Sequence, residues 1–426
     1  MKFVLANWGS RGEIEPCAAI GRELQRRGHE VCLVVPPDLV GFIEAAGLTA
    51  VAYGLDYQLV HGGYRDFWTY FFRNFWQFRK LNKMWAEVQA PLIECRKQVI
   101  ATLKSVAKDA DVLVTGMNYE EVAANVAEAC DVPFIALHYF PMRTNGQLLS
   151  FLPPQLGRLV MRVFWWMSWR GPKKVEDEER RELGLPTATT SWAQRIVDRG
   201  SLEVQAYDER CFPGLAAEWA DWNARQPAQR PFVGTLTMEL ATVADAEVVD
   251  WIAAGTPPIC FSFGSIPVES PSATIAMIST ACTQLGERAL VCAGATDFSG
   301  LPLSEHVKIV GTMNYATVFP ACRAVAHHGG AGTTAASLRA GIPTLVLWSG
   351  IDQRVWGVQV DRLKVGASRR FATVTEKTLV EDLRQILTPE YAVRAKELAG
   401  RMKTSTESVA AAADVVETFA SLRQVG

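Results

Sequence analysis

A glycine-rich loop in the second half of the chain has residue types that suit an anion. An apolar run at residues 324–326 predicts a buried strand, and it leads directly into His327 and His328. Glycines at a helix N-terminus expose backbone N–H groups to phosphate oxygens, and imidazoles can add donors. The competing interpretation is that histidines at a strand end are structural. We predict a phosphate-binding loop made of the residues His327, His328, Gly329, Gly330, Gly332 and Thr333.

A carboxylate and an amide follow the next predicted strand, at residues 344–347. Asp352 and Gln353 stand side by side there, and together they offer hydrogen-bond acceptors and a donor. A sugar hydroxyl needs both kinds of partner, because it donates as well as accepts. We therefore predict that Asp352 and Gln353 bind a sugar.

A second candidate loop lies near the N-terminus, between an apolar run at residues 3–6 and a predicted helix. Gly9 and Gly12 permit close approach of the backbone, and Glu13 lies in the first helical turn, where the helix dipole favours the ionised carboxylate. An ionised carboxylate can act as a base. The competing interpretation is that Glu13 and Glu15 are ordinary acidic residues of a first turn.

The elements that position these loops alternate between strand and helix. Apolar runs that predict buried strands recur at residues 3–6, 31–35, 112–115 and 134–137, and again at 259–263, 289–292, 307–310, 324–327 and 344–347. Strands this apolar are typical of parallel sheets that helices cover on both faces, and ligands bind at the carboxyl ends of such strands. We predict an α/β protein with two doubly wound parallel sheets.

The length of 426 residues suits two domains, because it exceeds what one ordinary core accommodates. Prolines and glycines cluster after residue 211, which is typical of an irregular connection. We predict an N-terminal domain at residues 1–212, a linker at 213–234 and a C-terminal domain at 235–403.

Composition excludes several classes of protein. A formal net charge of -2 provides no global field for nucleic acid. The spacing of the nine cysteines is not that of metal ligands, which argues against a zinc site. No run approaches the roughly 20 apolar residues of a membrane span. Asp109 and Asp111 form a D-x-D pattern, but they directly precede a predicted strand, so we expect no metal there. We expect a cytoplasmic protein.

Two segments, at residues 66–80 and 163–170, carry more aromatic side chains than a helix covering a sheet needs. Such segments suit a groove for a lipophilic molecule or a membrane interface. The competing interpretations are core helices and a dimer contact. We predict that a lipophilic molecule contacts the residues Phe71, Trp76, His138 and Trp165.

Together these loops resemble one enzyme family. The runs HHGGAGT at residues 327–333 and RAGIPTLVL at 339–347, followed by Asp352 and Gln353, resemble the nucleotide-sugar signature of inverting GT-B glycosyltransferases. The family includes bacterial antibiotic, sterol and lipid glycosyltransferases. GSRGEIEP at residues 9–16 is similar to its GSRGDxEP loop. The resemblance implies two facing Rossmann-like domains with a cleft between them, and a C-terminal helix, at residues 404–426, that returns to the N-terminal domain.

The resemblance also implies residue roles. Glu13 falls on the catalytic aspartate, the base that takes the proton from the acceptor hydroxyl. The extra methylene leaves Glu15 as an alternative base. The residues that match the donor diphosphate site are Ser10, Gly12 and the six residues of the predicted phosphate-binding loop. Those that match the donor sugar site are Asp352 and Gln353. Those that match the nucleoside site are Gly264, Ser265, Asn314 and Tyr315. The implied reaction inverts the anomeric carbon and needs no metal or cofactor besides the nucleotide sugar.

Within the family, the run PPDLVGFIEAAGL at residues 36–48 is most similar to actinobacterial enzymes that glycosylate glycopeptidolipids. This implies transfer of a hexose or deoxyhexose, such as rhamnose or 6-deoxytalose, from a dTDP- or UDP-sugar to a lipophilic acceptor. Ala335 stands where plant-type relatives carry a ribose-binding glutamate, which favours dTDP. The alternative is a sterol or natural-product glucosyltransferase that uses a UDP-sugar.

Two other classes of protein stay as alternatives. Residues 330–335 fit G-x-G-x-x-A, which is typical of NAD-dependent oxidoreductases. The second alternative is an inert protein that binds a sugar nucleotide and acts as the partner of a true transferase. We expect a monomer or homodimer without a nucleic-acid partner, with peripheral contact at the inner face of the plasma membrane.

Overall fold

The computed structural model describes residues 1–149, 152–226, 229–264, 268, 270–301 and 304–424. The chain divides into two compact units. The first comprises Met1–Tyr64, Gln77–Met238 and Ser405–Gly426, and the second comprises Arg65–Trp76 and Glu239–Thr404. The aromatic segment Arg65–Trp76 thus groups with the second unit, which its position in the sequence does not suggest.

The first unit is built on six parallel strands. They are β1 (Lys2–Ala6), β2 (Glu30–Val35), β3 (Thr49–Ala52), β4 (Val112–Thr115), β5 (Phe134–His138) and β6 (Leu202–Gln205). Their order is β3-β2-β1-β4-β5-β6. All side chains of β4 and β5 are buried, as expected for central parallel strands covered on both faces.

In the described part of the first 223 residues, ten helices accompany these strands. They are α1 (Arg11–Arg26), α2 (Val40–Ala45), α3 (Tyr57–Asn74), α4 (Phe78–Glu94), α5 (Arg96–Ala107), α6 (Glu120–Cys130), α7 (Pro154–Arg170), α8 (Lys173–Glu182), α9 (Trp192–Asp198) and α10 (Leu215–Asn223). Short 3-10 turns occur at Pro37–Leu39, Glu209–Cys211, Phe319–Ala321 and Phe371–Thr373.

The second unit repeats this architecture. Its strands are β7 (Ile259–Ser262), β8 (Ala289–Cys292), β9 (Val307–Val310), β10 (Ala324–His327), β11 (Thr344–Trp348) and β12 (Gly366–Arg370), in the order β12-β11-β10-β7-β8-β9. The remaining helices are α11 (Asp245–Ala253), α12 (Pro271–Leu285), α13 (Tyr315–Val318), α14 (Ala331–Arg339), α15 (Ile351–Leu363), α16 (Glu376–Ile386), α17 (Pro389–Ala399) and α18 (Ser405–Gln424). The predicted fold class, two doubly wound parallel sheets, is confirmed.

Each sheet has one switch point, where the strand order reverses. In the first sheet β1 pairs with β4, and in the second β7 pairs with β10. The loops that leave two such neighbouring strands diverge to opposite faces, and ligands bind in the crevice between them. Both candidate loops follow strands at these switch points, because one leaves β1 and the other leaves β10.

The strands that the apolar pattern missed are β3, β6 and β12. All three lie at an edge of their sheet. Three of the five residues of β12 are only half-buried, so its sequence GASRR does not resemble a buried strand. All four residues of β6 are buried, but two of them are polar, so its sequence LEVQ does not resemble one either. The irregular connection predicted at residues 213–234 also needs correction, because Leu215–Asn223 forms helix α10 with Trp219 buried.

A buried ionic cluster explains the polar residues of β6. Glu203 is fully buried and accepts hydrogen bonds from Arg143 and, over 2.7 Å, from Arg230 Nε. Arg143 Nη2 also donates to Glu120 over 2.7 Å, and His138 Nε2 lies 2.9 Å from the same oxygen. Burial alone would raise the pKa of Glu120, but Arg143 and His138 lower it to about 2. The cluster therefore contains paired charges, which is the condition for burying them.

Helix α18 belongs to the first unit and holds the end of α1. Arg27 Nη1 lies 2.7 Å from Asp414 Oδ1, and His29 Nε2 lies 2.5 Å from Glu417 Oε1. These contacts steady the helix whose first turn carries Glu13. Among the described residues, no helix has both the length and the apolar content to cross a membrane.

Candidate active site

The carboxylate of Glu13 lies at the switch point of the first sheet. The backbone N–H of Ser10, the residue before α1, donates to Glu13 Oε2 over 2.7 Å. The side-chain amide of Asn118 donates to the other oxygen, Oε1, over 2.8 Å. Both bonds favour the ionised carboxylate, because each partner is a donor. Together the two bonds hold the carboxylate in one orientation.

Gly9 makes room for this carboxylate. Its φ is +148°, and a Cβ atom at this position would lie 2.2 Å from Glu13 Oε2. Any side chain at position 9 must therefore displace either the loop or the carboxylate. The glycine pattern predicts that another group lies close to the backbone here. In the structure, that group is the carboxylate of Glu13.

Asn118 is a site residue that the sequence analysis missed. It lies in the loop after β4, and its Nδ2 donates to Trp8 O over 2.8 Å as well as to Glu13. Both amide hydrogens are therefore used, which fixes the orientation of the amide. The next residue, Tyr119, has a φ of +58°, an uncommon value for a residue other than glycine. Only the pairing of β1 with β4 brings Asn118 to Glu13.

The neighbouring carboxylate, Glu15, has structural partners. Its Oε1 accepts a hydrogen bond from the backbone N–H of Met238 over 3.0 Å, and its Oε2 lies 3.8 Å from Arg11 Nε. Glu15 therefore connects α1 to the end of the first unit, which makes Glu13 the better candidate for a base. Ser10 and Gly12 lie in the same loop, where Ser10 is half-buried and Gly12 is exposed.

In the second unit, His327 ends β10 and is fully buried. Its Nδ1 accepts a hydrogen bond from the backbone N–H of Gly329 over 2.9 Å. The hydrogen of the neutral ring therefore lies on Nε2, which has no hydrogen-bond partner among the described residues. Burial, reinforced by the charge of His328, lowers the pKa of His327 well below 6.5. His327 is thus a neutral donor whose partner must come from a ligand or solvent.

The ring of His328 lies between two glycines. A Cβ on Gly264 would come within 2.4 Å of its Cε1, and a Cβ on Gly330 would come within 2.5 Å of its Nε2. Gly264 follows β7, so the loops after β7 and β10 meet at this ring. These glycines are therefore required for packing an imidazole as well as for exposing backbone N–H groups.

At Gly329 both the backbone conformation and the neighbouring atoms oppose a side chain. Its φ is +91°, and a Cβ would lie 2.7 Å from Val346 Cγ1 and 3.0 Å from the backbone oxygen of Gln353. We expect Gly329→Ala to lower the free energy of unfolding by about 2 kcal/mol, measured by urea denaturation. Gly400→Ala is the matched control, because Gly400 has a φ of -63° and ends a helix. Equal effects of the two substitutions would contradict the strain assigned to Gly329.

The two histidines should also make stability depend on pH. Burial lowers the pKa of His328 to about 4, and that of His327 lies well below 6.5. Between pH 6.5 and 4 the unfolded chain therefore binds protons that the folded chain does not, so the free energy of unfolding falls as the pH falls. The slope is up to about 1.4 kcal/mol per pH unit for each histidine.

Urea denaturation of the wild type and of His328→Gln at several pH values in this range measures the effect. The wild type should lose more stability on acidification than the variant. Carboxylates contribute to both proteins alike and cancel in the comparison. Identical slopes would show that His328 takes up its proton at the same pH in the folded chain as in the unfolded chain.

The predicted sugar-binding pair lies at the start of α15. Gln353 Oε1 accepts hydrogen bonds from the backbone N–H groups of Ser349, over 2.8 Å, and Gly350, over 3.1 Å. This leaves the amide nitrogen of Gln353 without a hydrogen bond to another described residue, and Asp352 is exposed in the same turn. Since Gly329 packs against Gln353, the phosphate loop and this turn adjoin.

The predicted nucleoside residues have internal partners in the structure. Asn314 accepts from the backbone N–H of Ala316 over 3.0 Å and so caps α13. The ring of Tyr315 stacks on Phe319 with centroids 4.5 Å apart, and its hydroxyl lies 2.6 Å from Ser262 Oγ. Ser265 lies outside the described residues. The role of this loop towards a nucleobase stays a prediction.

The predicted acceptor residues are spread over both units. Phe71 is half-buried against Phe67 and Trp76 is exposed, both in the second unit. Trp165, in the first unit, packs edge-on against Trp192. His138 is fully buried in the ionic cluster, so we do not include it among acceptor contacts.

The D-x-D pattern has a structural use. Asp111 Oδ2 accepts a hydrogen bond from the backbone N–H of Lys2 over 2.6 Å, which ties the start of β1 to the residue before β4. In the part of the chain that the structure describes, no group of three His, Cys, Asp or Glu side chains is placed to hold a metal ion.

Two domain families match the chain. The Glycosyltransferase family 28 N-terminal domain matches residues 3–144, and the Erythromycin biosynthesis protein CIII-like, C-terminal domain matches residues 290–422. The first match contains the Glu13 loop, and the second contains the His327 loop.

Relatives match over the whole length. An uncharacterized glycosyltransferase of Mycobacterium tuberculosis is 53% identical over 429 residues and covers 99% of both chains. Another, from Mycobacterium leprae, is 54% identical over 99% of this chain and 97% of its own. A sterol 3-beta-glucosyltransferase of Arabidopsis thaliana is 27% identical over 97% of this chain and 67% of its own.

Solved glycosyltransferases share the fold. The calicheamicin glycosyltransferase CalG4 superposes with a TM-score of 0.70 at 17% identity over 98% of both chains. The glycosyltransferase VinC, solved in complex with dTDP, superposes with a TM-score of 0.64 at 18% identity over 100% of both chains. The family resemblance inferred from the motifs is thereby confirmed, and the oxidoreductase alternative loses its support. Whole-length identity to mycobacterial glycosyltransferases, with matching domains in both halves, shows that this chain is an enzyme of the GT-B glycosyltransferase family.

Proposed function

We propose that this enzyme transfers a hexose or deoxyhexose from a nucleoside diphosphate to a hydroxyl of a lipophilic acceptor, with inversion at the anomeric carbon. The observation that carries the proposal is the buried, unpartnered Nε2–H of neutral His327, beside the glycine loop that begins α14. A diphosphate supplies the acceptor oxygens that this N–H and the first N–H groups of α14 require.

In the proposed reaction, Glu13 is the base. Its carboxylate takes the proton of the acceptor hydroxyl while the hydroxyl oxygen bonds to the anomeric carbon and the bond from that carbon to the diphosphate oxygen breaks. The departing diphosphate gains negative charge, which the His327 N–H and the positive end of the α14 dipole stabilise. Since these groups receive the charge, we propose that no metal cofactor is needed.

The donor sugar is proposed to lie at the start of α15. There the amide nitrogen of Gln353 donates to a sugar hydroxyl, and the exposed carboxylate of Asp352 accepts from one. On α14, Ala335 is buried and has no polar atom for a ribose hydroxyl, which favours dTDP over UDP. The dTDP complex of VinC, a protein of the same fold, gives this donor further support.

For the acceptor, we propose a glycopeptidolipid or a related envelope lipid, and a peripheral location at the inner face of the plasma membrane. Exposed aromatic residues on α7 and at Trp76 support a lipophilic partner. The alternative is a sterol or another natural product as acceptor, with a UDP-sugar as donor. The similarity to the Arabidopsis sterol 3-beta-glucosyltransferase supports the sterol.

Calorimetric titration of the purified protein with dTDP, UDP, GDP and NAD tests the donor class. We expect dTDP or UDP to bind most tightly. Binding of NAD alone, or of none of the nucleoside diphosphates, would contradict the proposal.

Asn118 offers a separate test of the base, because among the described residues its amide nitrogen donates to Glu13 and to Trp8 O. We expect Asn118→Ala to lower kcat by roughly tenfold to a hundredfold, since the base loses its orientation. Asn118→Asp should move the acid limb of the kcat profile to higher pH, because a second carboxylate raises the pKa of the first. Asn82→Ala is the matched control, because Asn82 is exposed on α4. A wild-type kcat in Asn118→Ala, together with a wild-type pH profile in Asn118→Asp, would remove Asn118 from the site.

A further inference from the structure

Helix α7 buries one face against the first unit. Gly157, Met161 and Trp169 are buried and Trp165 is half-buried, so every fourth residue faces the protein. The indole N–H of Trp169 donates to Glu176 Oε2 over 3.0 Å, which anchors the helix by a directional bond. The orientation of the opposite face is therefore set.

The opposite face is apolar and open to solvent. Its large side chains are each at least 43% exposed, and they are Leu156, Leu159, Val160, Val163, Phe164, Trp166 and Met167. With 3.6 residues per turn these positions span an arc of about 160°. Scattered exposed apolar residues need no explanation, but a contiguous stripe of this kind marks an interaction surface.

The charged side chains of α7 itself, and of the five residues that follow it, are all positive. Residues 154–175 contain no Asp or Glu. Arg158 and Lys173 are paired with Glu218 and Asp177, respectively. By contrast, the residues of this region without an ion pair among the described residues are Arg162, Arg170 and Lys174. An apolar stripe with unpaired cations along it suits anionic headgroups above an acyl layer.

We propose that α7 lies in the surface of an anionic phospholipid bilayer, with its apolar face at the acyl boundary and Arg162, Arg170 and Lys174 among the headgroups. The positive charge favours an anionic bilayer over a second copy of the chain, because two α7 faces in contact would place like charges against each other. Since α7 is amphipathic and 17 residues long, it lies along the membrane surface. The inference rests on the membrane location proposed above and assigns it a surface.

Flotation with vesicles tests the proposal without requiring turnover. The protein should float with vesicles that contain phosphatidylglycerol and much less with pure phosphatidylcholine. Raising the salt from about 0.1 M to about 1 M should release protein, because the Debye length falls from about 10 Å to about 3 Å. Absence of flotation with anionic vesicles, or flotation that is equal with both lipids and insensitive to salt, would overturn the proposal.

Two pairs of variants test the surface itself. The double variant Val163→Ser, Phe164→Ser should lower the partition coefficient roughly tenfold or more, whereas Val393→Ser, an equally exposed apolar position on α17, should not. The double variant Arg162→Glu, Lys174→Glu should abolish the preference for anionic lipid, whereas Lys377→Glu, Arg401→Glu should keep it. Flotation of the α7 variants that equals the wild type would assign the membrane contact to another surface.

Sedimentation identifies the competing occupant. If Phe164→Ser converts a dimer to a monomer while no variant changes flotation, a second copy covers α7 and the proposal fails. Nucleotide titration of the same samples separates the two proposals. If the wild-type protein binds dTDP or UDP but does not float with anionic vesicles, only the membrane surface is overturned. If it floats but binds no nucleotide, only the proposed reaction is overturned.

Discussion

Replacing Glu13 by glutamine is expected to lower kcat for sugar transfer by about 10²- to 10⁴-fold while donor affinity is retained. Glutamine keeps the length of the side chain and an acceptor for the Ser10 N–H, but it cannot take a proton from the acceptor hydroxyl. The measurement is the rate at which the nucleoside diphosphate is released in single-turnover experiments, which report the chemical step. The donor sugar carries the nucleotide that calorimetry identifies.

Glu15→Gln is the matched control for this experiment. Glu15 is two residues away on the same helix, but its carboxylate binds the Met238 N–H and lies near Arg11. We expect this variant to keep the rate of the wild type. Unchanged turnover in Glu13→Gln would remove Glu13 from the mechanism, and an equal loss in Glu15→Gln would assign the base to Glu15.

Truncation of His327 to alanine is expected to weaken nucleoside diphosphate binding by roughly 10- to 100-fold. The ring offers a desolvated N–H that no described residue uses, so the bond to a phosphate oxygen replaces an unsatisfied donor. A hydrogen bond to a charged oxygen is worth about 1.5–3 kcal/mol, which gives this range. Calorimetric titration with dTDP and UDP measures the loss directly.

Two further variants interpret that loss. His327→Gln places an amide N–H near the position of Nε2 and should recover part of the affinity. His306→Ala removes a histidine of the same unit whose Nε2 lies 3.1 Å from the backbone oxygen of Ser279, and it should leave affinity unchanged. Wild-type affinity in His327→Ala would show that the diphosphate does not bind at this ring. Urea denaturation of the free proteins separates lost binding from lost stability.

Local chemistry explains why both loops could be predicted from the sequence. A buried strand, a glycine turn and a helix start are neighbours in the chain, so the apolar runs, the glycines and the residues of the first turn together indicate them. The central strands β4, β8 and β10 were predicted at their observed bounds for the same reason. The edge strand β9 was also predicted at its bounds, because three of the four residues in VKIV are apolar. The roles of Glu13, His327 and Asp352 stay predictions until the variants above are measured.

Long-range partners could not be predicted in this way. Asn118 reaches Glu13 across 105 positions, because β1 and β4 pair at the switch point, and strand order has no local signature. Glu203 and Gln205 made β6 resemble a loop. Glu203 is buried there only because Arg143 and Arg230 supply its partners. Gln205 is buried because it accepts from the Tyr207 hydroxyl and donates to the backbone oxygen of Glu203.

The sequence by itself determined the fold class, the enzyme family and the two loops, because strand periodicity, glycine turns and helix starts depend on neighbouring residues. Only the tertiary structure decided which carboxylate of the first loop is held at the switch point, and by which amide. It also decided that the aromatic helix α7 presents its apolar face to solvent, since composition is the same for a buried helix and an exposed one. Which face a helix buries depends on the surfaces that the rest of the chain packs against it.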